Sequence, residues 1–385
     1  MTAASRSLRV AIDASNLRNR GGVTHLKGLL SVAEPGAADI AEITVWASRE
    51  VLDQLDPRPW LRLCTDPALD GGLGARTAWR HTHLRRASAG FDVLFAPGSL
   101  AGALRCPLVV MSQNMLPFEP FERARFAPGA HWLRLRTLRE VQARSFSRAD
   151  GVIFLSRYAL QSILPTLSPG RRRVALIPHG IDDRFRAAPR PARPLASVGP
   201  ASPLRVLYVS QLSPYKHNEK VAEAVYRLRD EGLALSLDLV GGYDRQADRD
   251  RITRLARERD PGGDIVRWAG PVPHERLHER YHTAEAFVFA SSCENLPITL
   301  MEAMASGLPI ACSDRGPMPE ALGDAGLYLD PEDVGSIARA LRELALSPER
   351  RDALAARAFE RSRDWSWKRC ADATFGFIRD VALAR

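Results

Sequence analysis

Cysteine is scarce and scattered. Cys64, Cys106, Cys293, Cys312 and Cys370 form no CxxC pair, so neither a zinc ribbon nor a disulfide framework is indicated, and the thiols read as reduced. Long apolar runs are missing as well. The opening MTAASRSLRVAIDAS carries no hydrophobic stretch of signal-peptide length, and nothing later approaches a membrane span. The expected location is the cytoplasm, with peripheral attachment to the inner face of a membrane left open. There is no internal repeat and no GxGxxG dinucleotide fingerprint. An aromatic-basic RNP signature, zinc spacing and a heptad-linked basic region are also absent. A nucleic-acid-binding protein is then favoured by charge alone. That charge is +9, enough to attract phosphates, nucleic acid or anionic lipid without choosing among them.

What the chain does have is size and rhythm. Its 385 residues exceed the length at which a single core usually stops growing, and 45% hydrophobic with 26% charged residues is ordinary for a folded protein. Short apolar or β-branched runs alternate with helical patterns: LRVAIDAS (8–15), EITVWAS (42–48), DVLFAP (92–97), PLVVMSQ (107–113), GVIFLS (151–156) and RVALIPH (173–179). This is the pattern of a parallel sheet covered on both faces. Five prolines in 186–203 interrupt it, and a linker is expected there. The alternation restarts with LRVLYVS (204–210), LSLDLVGG (235–242), DIVRWAG (264–270), AFVFAS (286–291) and LPIACS (308–313). The expected organisation is α/β with two doubly wound domains, 1–185 and 204–362, joined by the linker. A terminal helix over 363–385, anchored by Trp365, Trp367, Phe375 and Phe377, should pack back on the first domain. Open α/β sheets bind ligands beyond the carboxyl ends of their strands, so the active site is expected in a cleft where two such ends face each other.

The most informative stretch is SSCENLPITLMEAMASGLPIACSD (291–314). It leaves a buried-strand pattern, turns through Asn295 and Pro297 and enters a helix near Thr299–Glu302. A loop feeding a helix N-terminus presents unpaired N–H groups and the positive end of the dipole, which suits a diphosphate. Glu294 and Glu302 bracket the turn, eight positions apart. One could hold hydroxyls of a transferred sugar and the other those of a ribose; alternatively Glu302 favours the helix dipole and Glu294 is a solvated loop residue.

Glu294-x7-Glu302 followed by AMASGLPIACSDRGPMPEALGDAGLYLDP resembles the donor-binding signature of glycosyltransferase family 4. The resemblance continues through YVSQLSPYK (208–216), LVGGY (239–243) and WAGPVPHERLHERYHTAEAFVFASS (268–292). In the first half it is limited to Gly21-Gly22-Val23, FLSRY (154–158) and IPHGID (177–182), so roughly two-thirds of the chain is covered. It implies the GT-B arrangement of two Rossmann-like domains and a retaining transferase taking a nucleotide sugar as substrate, with no cofactor and no metal. The acceptor implied is a saccharide or lipid-linked saccharide, as in bacterial-type surface polysaccharide synthesis.

The same resemblance implies that Glu294 contacts the donor sugar, Glu302 the ribose and Lys216 the diphosphate. Asn295, Leu296 and Pro297 would line the sugar-diphosphate pocket, with Ser210, Gln211, Gly241, Val272 and Gly22 also on the donor. Lysine is a compact charge that can offset the negative charge developing on a departing nucleotide. Three departures stand out. Gln211 occupies a position where many members carry arginine, NLPITLM replaces a glycine-rich segment, and Gln113-Asn114 stand where the family often places a histidine. Gln113 and Asn114 are assigned to the acceptor, and so is His179, for which a hinge or cleft-wall role stands as the equal alternative. No separate carboxylate is positioned as a covalent nucleophile, so a front-side displacement is expected. Another GT-B enzyme, an epimerase or a phosphorylase, is the neighbouring alternative.

Two further features carry expectations. His274, His278 and His282 recur at helical spacing in HERLHERYH, and the segment reads as a mixed polar helix surface rather than a metal site. The stretch 121–148 holds seven arginines against two acids with Trp132, Leu133, Leu135, Leu138 and Val141 interleaved. It is either a basic face of a core-packed helix or a surface for anionic lipid.

Overall fold

The computed structural model describes residues 7–18, 20–99 and 104–384. Contacts divide the chain into two compact units. One comprises Met1–Phe118, Ala127–Gly180 and Trp365–Arg385, the other Glu119–Phe126 and Ile181–Asp364.

The first unit is built on seven parallel strands: β1 (Leu8–Asp13), β2 (Ile40–Trp46), β3 (Leu61–Cys64), β4 (Val93–Ala96), β5 (Leu108–Met111), β6 (Gly151–Phe154) and β7 (Arg173–Leu176). Their order is β3-β2-β1-β4-β5-β6-β7. Val10 of β1 lies opposite Ile43 on one side and Val93 on the other, so the direction of winding reverses between β1 and β4. Val10, Ala11 and Ile12 are fully buried, as are Val93, Leu94 and Phe95, which is why these segments read as unbroken apolar runs. The terminal helix Trp367–Ala382 belongs to this unit. Glycine makes its seat: a Cβ on Gly28 would lie 2.3 Å from Trp367 Cε2, and one on Gly180 would lie 2.2 Å from the Trp367 backbone nitrogen. Phe375 and Ile378 continue the buried stripe.

The second unit carries six parallel strands: β8 (Leu204–Val209), β9 (Leu235–Val240), β10 (Val266–Gly270), β11 (Ala286–Phe289), β12 (Ile310–Ser313) and β13 (Leu327–Leu329), in the order β10-β9-β8-β11-β12-β13. Residues 186–203, expected to be a linker, are bound to this unit instead. Arginines between the prolines supply the donors that the prolines lack. Arg190 donates to the carbonyls of His282 and Ala284, Arg193 pairs with Glu285, and Arg351 donates to the Arg193 carbonyl at 2.7 Å. The break between units therefore falls between Gly180 and Ile181 rather than after residue 185.

The arginine-rich stretch is also divided, since Glu119–Phe126 belongs to the second unit and the helix Ala130–Arg148 to the first. That helix buries Leu135, Gln142, Ser145 and Phe146, while Leu133 stays 60% exposed beside exposed Arg134 and Arg136. Among the described residues no helix is long and apolar enough to cross a membrane.

Candidate functional site

In the second unit, the loops after β8 and β11 are tied together. Ser292 N donates to the Tyr215 carbonyl at 2.8 Å, and His217 Nε2 lies 2.9 Å from Ser292 Oγ. Within this frame Lys216 Nζ forms an ion pair with Glu294 Oε1. Their side chains are only 13% and 16% exposed, so the pair is screened far less than a surface one. Lys216 Nζ also sits 5.2 Å from the Tyr215 ring centroid and 5.5 Å from that of Phe289, a low-dielectric, electron-rich surround for a cation. Its carbonyl accepts from Tyr208 Oη at 2.5 Å. The sequence paired neither the two charges, 78 positions apart, nor these aromatic rings with the lysine.

Beyond Glu294 the chain runs through buried Asn295, half-buried Leu296 and buried Pro297 into the helix Ile298–Ala305. The first turn of that helix contains no acid. Glu302 is its fifth residue, 3% exposed, so it is not a solvated dipole partner. Two donors hold it: Tyr281 Oη at 2.9 Å on Oε2 and His274 Nε2 at 3.3 Å on Oε1. Burial and the neighbouring carboxylate keep the Tyr281 phenol protonated, with its pKa raised well above the ordinary value, so it remains a donor to Glu302.

This corrects the reading of the histidine helix as plain polar surface. His274–Thr283 turns its histidines onto Phe185 and Glu302: the rings of His274 and His278 lie 5.5 and 6.4 Å from Phe185, and His282 Nε2 lies 3.3 Å from the Phe185 carbonyl. His274 and Tyr281 are seven residues apart and share that face. Their spacing was the available signal. Among the described residues, no group of three or more metal-ligating side chains is assembled.

The remaining positions of this unit expected on the donor side lie at and beyond the ends of β8, β9 and β10. Ser210 Oγ accepts from Asn218 Nδ2 at 2.8 Å, and Gln211 is exposed. Gly241 has φ +144°, and a Cβ there would fall 2.0 Å from the Ser210 carbonyl oxygen, so only glycine fits this close approach. Trp268 Nε1 donates to the Gly241 carbonyl at 2.9 Å, and half-buried Val272 lies just past β10.

In the first unit, Gly21 and Gly22 fall within the first turn of the helix Arg20–Ser31, not ahead of it as the sequence pattern indicated. Half-buried Gln113 and exposed Asn114 follow β5. Asn114 Oδ1 accepts from Leu116 N at 3.1 Å, and Gln113 Nε2 points to Met111 Sδ at 3.5 Å. His179 is 5% exposed and turned inward, with Nδ1 2.6 Å from Nδ1 of fully buried His25 and its ring 6.1 Å from Trp367. That placement favours a wall residue over the acceptor contact expected of it.

Known proteins share both halves. The model for Glycosyltransferase Family 4 matches residues 38–185, and that for Glycosyl transferases group 1 matches residues 197–361. The chain is 31% identical to the O-antigen chain mannosyltransferase B of Escherichia coli over 168 residues, 44% of each chain. To the D-inositol 3-phosphate glycosyltransferase of Actinosynnema mirum it is 30% identical over 261 residues, 64% of this chain and 62% of the relative. The alignments thus span about half the length of the curated relatives. In fold it matches sucrose-phosphate synthase from Thermosynechococcus elongatus with a TM-score of 0.76 at 20% identity, covering 98% of this chain and all of the other. With one family model on each side of the proline-rich segment and the Glu294–Glu302 stretch inside the second, the chain belongs to glycosyltransferase family 4, on the two-sheet GT-B fold.

Proposed function

We propose that the protein is a retaining glycosyltransferase that moves a sugar from a nucleotide-sugar donor to a saccharide or lipid-linked saccharide of a bacterial-type surface polysaccharide. The observation that carries this is the half-buried Lys216–Glu294 pair on two tied loops, within the segment matched by the family model. In this reading Lys216 meets the diphosphate and Glu294 the sugar, while Glu302, oriented by His274 and Tyr281, accepts hydrogen bonds from the ribose.

The bond from the anomeric carbon to the diphosphate oxygen breaks as the bond to the acceptor oxygen forms on the same face. The acceptor proton passes to the leaving phosphate oxygen. Negative charge then grows where a lysine in a poorly solvated site is most effective. Incubation with a nucleotide sugar and water alone should slowly release nucleoside diphosphate, and NMR of the glycosylated product should show the donor's anomeric configuration. An inverted product would overturn the mechanism. Sugar interconversion without release, or a requirement for inorganic phosphate, would point to an epimerase or a phosphorylase. Turnover should persist in EDTA, and loss reversed by a divalent ion would contradict metal independence. Thermal shifts across nucleoside diphosphates identify the base, since a ligand of the native state stabilises it with the logarithm of concentration over Kd.

The helix Ala130–Arg148 supports association with anionic lipid. Leu133 projects beside Arg134 and Arg136, and Arg136 lies 4.8 Å from the Trp132 ring. At about 1 kcal/mol per basic residue near an anionic surface, replacing Arg134, Arg136 and Arg139 by glutamine should weaken binding to phosphatidylglycerol vesicles more than about 100-fold. Salt at about 1 M, where the Debye length is about 3 Å, should do the same. Wild-type protein left in the supernatant at low salt would end the membrane reading.

A further inference from the structure

The carboxyl end of the first unit's sheet gathers cations that the transferase reading has not used. Arg80 sits where the winding reverses: its Nε is 3.0 Å from Asp13 Oδ2 at the end of β1, and its guanidinium donates to the Ser99 carbonyl just past β4. Arg18 bridges the Ser48 hydroxyl beyond β2 and the Leu69 carbonyl beyond β3. Arg76 lies one turn before Arg80 on the same helical run.

The charges do not balance. Asp13 neutralises Arg80, but the partners of Arg18 are neutral, and Arg76 Nε is buried without a hydrogen-bond partner among the described residues. Burial, then the charges of Arg18 and Arg80, push Arg76 below the ordinary arginine value. The fully buried Ser15 hydroxyl, two residues past Asp13, also lacks a partner among the described residues. The helix passes from α to π geometry at Arg80–Leu84, a distortion that recurs at functional sites. Three guanidiniums with one carboxylate, Asp13, bound among them, at the winding reversal of an open parallel sheet, suit an anion.

We propose that Arg18, Arg76 and Arg80 form a phosphoryl-binding subsite in the first unit, so that the acceptor is a phosphorylated or diphosphate-linked saccharide. This rests on the transferase reading and narrows its acceptor class. Arg76 and Arg18 meet the phosphoryl oxygens, and Arg80, held by Asp13, fixes the wall between β1 and β4.

The full chain is titrated calorimetrically with inorganic pyrophosphate while a nucleoside diphosphate saturates the Lys216 site. Wild-type protein should bind pyrophosphate in addition, and Arg76→Gln should weaken that binding at least about tenfold, the scale of one charge-assisted contact. Arg86→Gln removes the same charge from an exposed position in the same run and should change it less than about twofold. Ligand-free Arg76→Gln should melt no lower than wild type, because the substitution relieves repulsion. No second binding event, equal affinity in Arg76→Gln, equal loss in Arg86→Gln or a lowered melting temperature in Arg76→Gln each overturns the subsite. Arg76-dependent binding of glucose 1-phosphate assigns a soluble acceptor. Arg76-dependent capture by phosphatidylcholine vesicles carrying a polyprenyl diphosphate assigns a lipid-linked one. Failure of the transferase reading would appear separately, as absence of nucleotide binding and of donor hydrolysis.

Discussion

Lys216→Ala should lower kcat/KM by roughly 2–4 kcal/mol, the scale of losing one charged electrostatic donor from a poorly solvated site, which is a factor of roughly 30 to 900. Both donor affinity and turnover should fall. The lysine is held between the Tyr215 and Phe289 rings and paired with Glu294, so it is positioned before any donor arrives. Its loss also strands a half-buried carboxylate. Lys216→Ala/Glu294→Ala therefore belongs in the same series, since residues in direct contact are not additive. Glu294→Ala alone should depress kcat far more than calorimetric nucleotide affinity, because the proposed role puts its contacts on the reacting sugar. Glu302→Ala should do the reverse. Glu302→Ala also removes the acceptor of Tyr281 and His274, so Glu302→Gln is the better probe of the proposed ribose contact. Activity of Lys216→Ala within twofold of wild type would reject the assignment, and equal affinity losses in the two glutamate variants would reject the division of roles.

Much of the fold was legible because both sheets are parallel and buried on both faces, so a central strand such as β4 or β11 is an uninterrupted apolar run. The strands that escaped notice lie at edges. β3 is only half-buried over Leu61–Cys64, and β13 spans three residues with Tyr328 exposed, so neither presents the pattern by which a central strand is known. Proline counting located 186–203 but misjudged it. The ring fixes the backbone, yet what the segment binds is decided by Arg190 and Arg193, whose partners His282, Ala284 and Glu285 lie some ninety positions away. The candidate site divides in the same way. Glu294, Glu302 and Lys216 stood out because family resemblance supplied their context. The pairing of Lys216 with Glu294, and the His274 and Tyr281 bonds that orient Glu302, arise when distant loops meet at the strand ends. Local spacing contains no term for that meeting.

Acid should destabilise the first unit through its histidine pair, and by a large amount. His25 and His179 are 0% and 5% exposed, with Nδ1 atoms 2.6 Å apart and Trp367 packed against both rings. One Nδ1 donates and the other accepts, so the contact exists only while both rings are neutral; a second proton would set two N–H groups against each other. Burial lowers His25 to about 4, and burial followed by the His25 charge lowers His179 well below 6.5. In the unfolded chain both titrate near 6.5. The folded pKa lies below the unfolded one, so the unfolded state takes up protons first as pH falls. Stability is complete above about pH 6.5 and is lost progressively down to about pH 4. For His25 alone that interval corresponds to about 3 kcal/mol. Urea unfolding followed by tryptophan fluorescence between pH 7.5 and pH 4.5 should show the loss. His25→Gln/His179→Gln, which cannot take up these protons, should show a much shallower dependence than wild type over the same range. Parallel pH profiles for the two proteins would mean that the pair is solvated or otherwise compensated, and the linkage would be wrong.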